Sequence, residues 1–145
     1  MSKPKILVID DNPSDVQLLQ IALSEQNCEY EIEIATDGEL AIRVVLEQCE
    51  KARTPCIIVL DMHLPKYDGV EVLQVIRRQP ELRHVKVIIT TTTLSPKYRA
   101  DVLDLGGHYY PKPGGLGEFE DLARFVLGVC RTFEGDFSTA ALHPA

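Results

Sequence analysis

Five residues of this sequence could act together chemically, because each ends or closely follows a short run of residues that is typical of a β-strand. Three of them are acids, one carries a hydroxyl group and one carries an amine. They are Asp10, Asp11, Asp61, Thr91 and Lys112. Ligands of open α/β sheets bind outside the carboxyl ends of the strands, so we expect these side chains to gather at one edge of a sheet.

The three acids predict a cation site. Two unit negative charges about 4 Å apart repel by about 4 kcal/mol at an effective dielectric constant near 20, so three carboxylates need a proton or a cation between them. Mg²⁺ suits a shallow, wet site because it uses few carboxylates, keeps several waters and accepts phosphate oxygens. Taken alone, Asp10 and Asp11 could simply cap a helix, but Asp61 and Lys112 favour the functional interpretation.

The complete set meets the requirements of phosphoryl transfer. Asp61, at the end of a central strand, is the expected nucleophile and would form an acyl phosphate. The hydroxyl group of Thr91 and the ammonium group of Lys112 would neutralise the phosphoryl oxygens. Asp10 and Asp11 would face the metal and its waters.

Five strand-like runs, each followed by a helical pattern, must position these residues. The runs are Lys5–Asp10, Glu29–Ala35, Cys56–Asp61, Lys86–Thr91 and His108–Lys112. The first and third are solidly apolar at their centres and predict strands covered on both faces, whereas the second alternates and predicts a strand nearer an edge. Strict alternation predicts a single α/β domain, with helices on both faces of a parallel sheet.

Local signals mark where the helices begin. Asn12 and Pro13 predict the N-cap and the first residue of helix one. Turn or capping pairs precede the next three helices, at Asp37-Gly38, Asp68-Gly69 and Ser95-Pro96. The fifth helix is expected at about Leu116–Phe133.

Composition excludes several classes of protein. Hydrophobic residues are 45% and charged residues 26% of the 145 residues, a globular composition, and the net charge of −7 argues against nucleic-acid binding. No apolar run approaches the roughly 20 residues of a membrane span, and the N-terminus has no signal-like segment, so we expect a cytoplasmic protein. The cysteines fit no metal or redox pattern, and we expect all four to be reduced. They are Cys28, Cys49, Cys56 and Cys130.

Four segments resemble the receiver domain of two-component response regulators. They are ILVIDD at 6–11, LDMHLPKYDG at 60–69, IITT at 88–91 and YYPKP at 109–113. The resemblance covers residues 4–131 and leaves 132–145 as a C-terminal tail. It implies a flavodoxin-like three-layer (βα)5 sandwich with strand order 2-1-3-4-5.

The resemblance also implies a role for each acid. Asp61 would be the phospho-acceptor, modified by a histidine kinase. Asp11, Asp61 and the backbone carbonyl of His63 would bind Mg²⁺, and Asp10 would act through a metal-bound water.

Further roles follow from the same resemblance. Thr91 and Lys112 would contact the phosphoryl group, and Tyr109 would act with Thr91 as the aromatic switch residue. The peptide bond between Lys112 and Pro113 is expected to be cis, as is usual in the family.

The chain resembles a stand-alone receiver, most closely the small response regulators paired with phytochrome-type histidine kinases. A homodimer through the fourth helix, fifth strand and fifth helix is plausible, with Phe137 and Leu142 of the tail packing across. One alternative is a receiver-fold scaffold that is not phosphorylated. Another is an aspartyl-phosphate hydrolase, which would require a second acid where His63 stands.

Overall fold

The five strands form one parallel sheet. A computed structural model describes residues 3–92 and 95–133 of the chain. The strands are β1 (Lys5–Ile9), β2 (Glu31–Ala35), β3 (Ile57–Asp61), β4 (Lys86–Thr91) and β5 (His108–Pro111). Their order is β2-β1-β3-β4-β5, which confirms the predicted flavodoxin-like topology. Pro111 has no N–H to donate, and it lies on an edge strand, where proline is tolerated.

Helices connect successive strands and begin at the residues that the sequence marks. They are α1 (Pro13–Ser24), α2 (Gly38–Glu50), α3 (Gly69–Arg78), α4 (Pro96–Asp104) and α5 (Leu116–Phe133), with a 3-10 turn at Pro80–Leu82. Four begin after a side chain that accepts a hydrogen bond from the backbone N–H groups of the first turn. These N-caps are Asn12, Asp37, Asp68 and Ser95. Within the described ranges, no helix combines the length and apolar character needed to cross a membrane.

The sheet separates two apolar cores. Alternate residues of a strand point to opposite faces, so Ile6 and Val8 of β1 pack with α1 and α5. Leu7 and Ile9 pack on the other face, with α2, α3 and Val102 of α4. The side chains of these four residues are at most 2% exposed. Burial on both faces explains why the centres of β1 and β3 are continuously apolar.

Two of the cysteines are joined, so the prediction of four reduced cysteines is wrong. Cys56, directly before β3, and Cys130, near the end of α5, form a disulfide with a Cα–Cα distance of 5.6 Å. Both lie in the core that α1 and α5 cover. Spacing along the chain gave no signal because 74 residues separate the two, and only the packing of α5 on the sheet brings them together. Cys28 and Cys49 are free and partly buried.

Candidate functional site

Parallel pairing brings the three aspartates to one edge of the sheet. Asp61 is the last residue of β3, and Asp10 and Asp11 directly follow β1. Because Ile9 of β1 stands opposite Leu60 of β3, the two strands end at the same level. One carboxylate oxygen from each aspartate lies within 4.8 Å of the other two. Asp61 is buried, whereas Asp11 is exposed, so the cluster is open on one side.

The cluster fits a small, hard cation. Its three ligand atoms are all carboxylate oxygens, the donor type that Mg²⁺ prefers. Asp11 and Asp61 line an open cleft of about 460 Å³, which leaves room for the waters that Mg²⁺ keeps. His63 lines the same cleft, donates its backbone N–H to Asp61 Oδ1 at 3.3 Å and has an exposed side chain. The use of its carbonyl as a metal ligand stays a prediction.

Lys112 follows β5 and reaches two acids of the cluster and one acid outside it. Its Nζ lies 3.1 Å from Asp61 Oδ2, 3.2 Å from Asp15 Oδ2 and 3.8 Å from Asp10 Oδ2. Its backbone N–H donates to the carbonyl oxygen of Thr91 at 3.0 Å, which fixes the start of the side chain. Burial alone would lower the pKa of Lys112, but the carboxylates of Asp10 and Asp61 outweigh burial and raise that pKa above its ordinary value. The side chain is therefore held as an ammonium.

The peptide bond between Lys112 and Pro113 is trans, so the predicted cis bond is wrong. An X–Pro bond prefers the trans form by roughly 0.5–1 kcal/mol unless its surroundings select the cis form. Here Lys112 Nζ already reaches Asp61 Oδ2 at 3.1 Å from a trans backbone. The contact between lysine and acid is therefore made with the trans isomer.

Asp10 has an ionisation that differs from that of an ordinary aspartate. Burial raises the pKa of Asp10 to about 6, and a hydrogen bond from the backbone N–H of Asn12 opposes this rise. The charge of Asp61 raises the pKa further, while that of Lys112 lowers it. A cation among these acids would favour the charged form of Asp10, because an opposite charge nearby stabilises a carboxylate.

Thr91 and Tyr109 lie on the neighbouring strands β4 and β5. Thr91 ends β4 and is fully buried, and Tyr109 of β5 stands opposite Ile89 and is partly buried. The next residue, Tyr110, packs on Phe125 of α5 with ring centroids 5.6 Å apart. Alternation along the strand then directs Tyr109 to the other face of the sheet, which α4 covers. The switch role of this threonine and tyrosine stays a prediction.

The loop between β3 and α3 is tied to the start of α2. The backbone N–H of Gly38 donates to the carbonyl oxygen of Pro65 at 3.2 Å, and Lys66 Nζ lies 3.6 Å from Asp37 Oδ2. A Cβ on Gly38 would lie 2.3 Å from the carbonyl oxygen of Tyr67, so only glycine fits this contact. The chain that leaves the acid cluster is therefore anchored at its far end.

Asp15 is a residue of the site that sequence reasoning missed. It lies in the first turn of α1, and its carboxylate pairs with Lys112 at 3.2 Å. An acid in the first turn of a helix is ordinarily explained by the helix dipole, which favours negative charge there. That explanation concealed the contact, because nothing in the sequence shows that a lysine 97 positions later points at this turn.

Comparison with known proteins agrees with this arrangement of strands and acids. The family model of the response regulator receiver domain matches residues 6–123. The chain belongs to this family. It is thus a receiver domain of the response regulators of two-component systems, and the resemblance found in its four sequence segments is confirmed.

Similar proteins include response regulators, one of which is a phytochrome response regulator. Response regulator Rcp1 of Synechocystis sp. is 36% identical over 90 residues, which cover 61% of this chain and 61% of Rcp1, less than two thirds of that relative. The crystal structure of the phosphorylated cyanobacterial phytochrome response regulator RcpA has a TM-score of 0.78 and 28% identity, covering 94% of this chain and 98% of that one. The Mn²⁺-bound form of Rcp1 has a TM-score of 0.74 and 28% identity, with coverage of 93% and 96%.

Proposed function

We propose that this receiver domain accepts a phosphoryl group on Asp61 from the phosphohistidine of a histidine kinase. The observation that carries the proposal is the position of Lys112 Nζ, 3.1 Å from Asp61 Oδ2 and beside the group of three acids. A buried carboxylate with an ammonium group at one oxygen, beside acids that could hold a divalent cation, is suited to receive an anionic group. The domain is proposed to comprise residues 4–131, followed by the tail.

The transfer makes one bond and breaks one bond. A carboxylate oxygen of Asp61 attacks phosphorus, forming the O–P bond of an acyl phosphate. The N–P bond of the donor phosphohistidine breaks, and its electron pair returns to the imidazole nitrogen. Lys112 is within reach of the new phosphoryl oxygens, and the hydroxyl group of Thr91 is proposed to donate to one of them. The chain acts as a phospho-accepting signalling protein rather than as an enzyme on a free substrate.

Asp10, Asp11 and Asp61 are proposed to hold Mg²⁺, with the carbonyl of His63 as a further ligand and Asp10 acting through a bound water. When bound, the ion supplies positive charge that offsets the repulsion between these acids and an incoming phosphoryl group. The similar response regulator Rcp1 has been crystallised in a Mn²⁺-bound form, which supports a divalent ion here. The acid cluster of this chain has the same class of ligands.

The proposed consequence of phosphorylation is a change in partner binding. An acyl phosphate adds charge beside Thr91, enough to bias a rearrangement of a few kcal/mol in the neighbouring loop and α4, with Tyr109 as the second switch residue. The similarity to RcpA supports a phytochrome-type kinase as the donor. A homodimer through α4, β5 and α5 stays a prediction, and Phe137 and Leu142 lie outside the described residues.

The test is labelling with acetyl phosphate in the presence of Mg²⁺, followed by intact mass measurement. The wild-type protein should gain one phosphoryl group, and Asp61→Asn should gain none because an amide is a poor nucleophile and carries no charge. Asp104→Asn removes the same charge from an exposed position of α4 and should be labelled like the wild type. Failure of the wild-type protein to gain a phosphoryl group would favour the scaffold alternative.

A further inference from the structure

The carboxylate of Asp15 does not cap its own helix, α1. The side chain of Asn12 caps α1, accepting hydrogen bonds from the backbone N–H groups of Ser14 at 3.0 Å and of Asp15 at 3.3 Å. The carboxylate of Asp15 instead points towards Lys112, with Oδ2 3.2 Å from Nζ. A helix-capping function therefore does not account for this side chain.

The pair between Asp15 and Lys112 is shielded from solvent. The two side chains are 20% and 17% exposed, so water and salt screen the pair less than they screen an exposed ion pair. An ammonium group has three N–H donors. Two carboxylate oxygens lie close to Lys112 Nζ, that of Asp61 at 3.1 Å and that of Asp15 at 3.2 Å. The nearest oxygen of Asp10 is farther away, at 3.8 Å.

Asp15 differs from the other acids around Lys112 in lying outside the candidate metal cluster. The cluster contains Asp10, Asp11 and Asp61. Esterification of Asp61 would remove the carboxylate charge that attracts the Lys112 ammonium group. A metal ion would compete with the same ammonium group for the carboxylate of Asp10. Asp15 is neither the esterified residue nor a member of the metal cluster, so its contact with Lys112 can persist throughout the transfer.

We propose that Asp15 is a positioning residue that anchors the ammonium group of Lys112 while the lysine turns from the carboxylate of Asp61 to the phosphoryl group. The inference rests on the proposed phosphorylation of Asp61 and deepens it. Asp15 acts through Lys112 and touches neither the metal site nor the phosphorus. Pre-orientation of a charged group in a partly buried site favours transfer because less reorganisation is needed at the moment of reaction.

The kinetic test compares Asp15→Asn with the wild type during labelling by acetyl phosphate at saturating Mg²⁺. The labelling rate of Asp15→Asn should fall roughly tenfold, a factor that corresponds to about 1.4 kcal/mol, and its half-saturating Mg²⁺ concentration should change less than the rate. Asp15→Glu should recover part of the rate because it restores the anchor. Glu25→Gln removes the same charge from the exposed end of α1 and should leave the rate unchanged.

A second measurement is independent of phosphorylation. The ¹⁵N resonance of the Lys112 ammonium group, assigned with Lys112→Met, should show slow hydrogen exchange in the wild type and in Glu25→Gln, and fast exchange in Asp15→Asn. The backbone amide spectrum verifies that each variant is folded. If Asp15→Asn reacted more slowly but its Lys112 ammonium exchanged as in the wild type, the anchoring role would be contradicted. It would also be contradicted if the labelling rate and the ammonium exchange of Asp15→Asn both equalled those of the wild type.

The two proposals fail in distinguishable ways. A wild type that takes no label overturns phosphorylation of Asp61 and, with it, a role for Asp15 in transfer. A labelled wild type with equally fast labelling of Asp15→Asn overturns the role of Asp15 alone.

Discussion

The residues around Asp61 carry more negative than positive charge. Among the residues that the structure describes, Asp10, Asp11, Asp15 and Asp61 surround one ammonium group, that of Lys112, which contacts three of them. Carboxylates this close together repel one another, and the repulsion is stronger in a partly buried site than in water. The folded chain therefore stores an electrostatic cost that a divalent cation would relieve.

We expect Mg²⁺ to stabilise the folded protein against heat. A ligand that binds only the folded state at 100 times its dissociation constant contributes about 2.7 kcal/mol. The midpoint of thermal unfolding, followed by circular dichroism, should rise with Mg²⁺ concentration in the wild type and much less in Asp11→Asn. Potassium chloride at matched ionic strength is the control, and an equal rise with both salts would contradict a specific cation site.

Much of the candidate site could be predicted at the residue scale. The structure places Asp10, Asp11, Asp61 and Lys112 together as the sequence predicted, because each follows or ends a strand and parallel strands end at one edge. The contact of Asp15 could not be predicted, since it depends on the direction of a long, flexible side chain. The prediction of a cis bond before Pro113 was wrong because it was based on what is usual in the family, and nothing in the local sequence determines the isomer.

At the scale of elements, Arg77 joins the end of α3 to two loops. It lies in the last turn of α3 and is partly buried. Its Nε donates to the carbonyl oxygen of Leu105 at 2.7 Å and its Nη2 to that of Gly106 at 3.1 Å. Its Nη1 donates to Leu82 and Val85, both at 3.0 Å. One side chain thus fixes both the approach to β4 and the turn between α4 and β5.

Arg77→Met should lower the free energy of unfolding by about 3 kcal/mol, because it leaves several carbonyl groups without their charged donor. Urea unfolding monitored by circular dichroism measures the change. Arg78→Met is the matched control, since Arg78 is the next residue in the same turn and is exposed. Equal stabilities of the two variants would show that the hydrogen bonds of Arg77 contribute little.

The elements differ in how far the sequence predicts them. The starts of α1 to α4 are predicted because a capping side chain acts on backbone only two or three residues away. The 3-10 turn at Pro80–Leu82 was not predicted. It is held in part by the hydrogen bond from Arg77 to the carbonyl oxygen of Leu82, which depends on the direction of a long side chain.

At the scale of the whole molecule, the Cys56–Cys130 disulfide ties the last helix to the middle of the sheet. The bond closes a loop between residues separated by 74 positions, and such a closure restricts the unfolded chain far more than the folded one. The two cysteines lie at the edge of the sheet opposite the acid cluster, because Cys56 precedes β3 and Asp61 ends it. Reduction should therefore change stability more than it changes the site.

Reduction with dithiothreitol, or the double change Cys56→Ala and Cys130→Ala, should lower the free energy of unfolding by up to about 4 kcal/mol on a chain-entropy estimate. Urea unfolding of the oxidised and reduced protein measures it. Cys28→Ala removes a free thiol but keeps the disulfide, so reduction should lower its free energy of unfolding by as much as it does in the wild type. Identical curves for oxidised and reduced wild type would contradict the expected contribution.

The same covalent tie has a consequence for limited digestion. A protease that cuts once anywhere between Cys56 and Cys130 produces two fragments that stay attached to each other. On a gel run without reductant the nicked protein would migrate as one species, and it would separate into two bands only after reduction. Digestion patterns of this receiver are therefore interpretable only when both gels are compared.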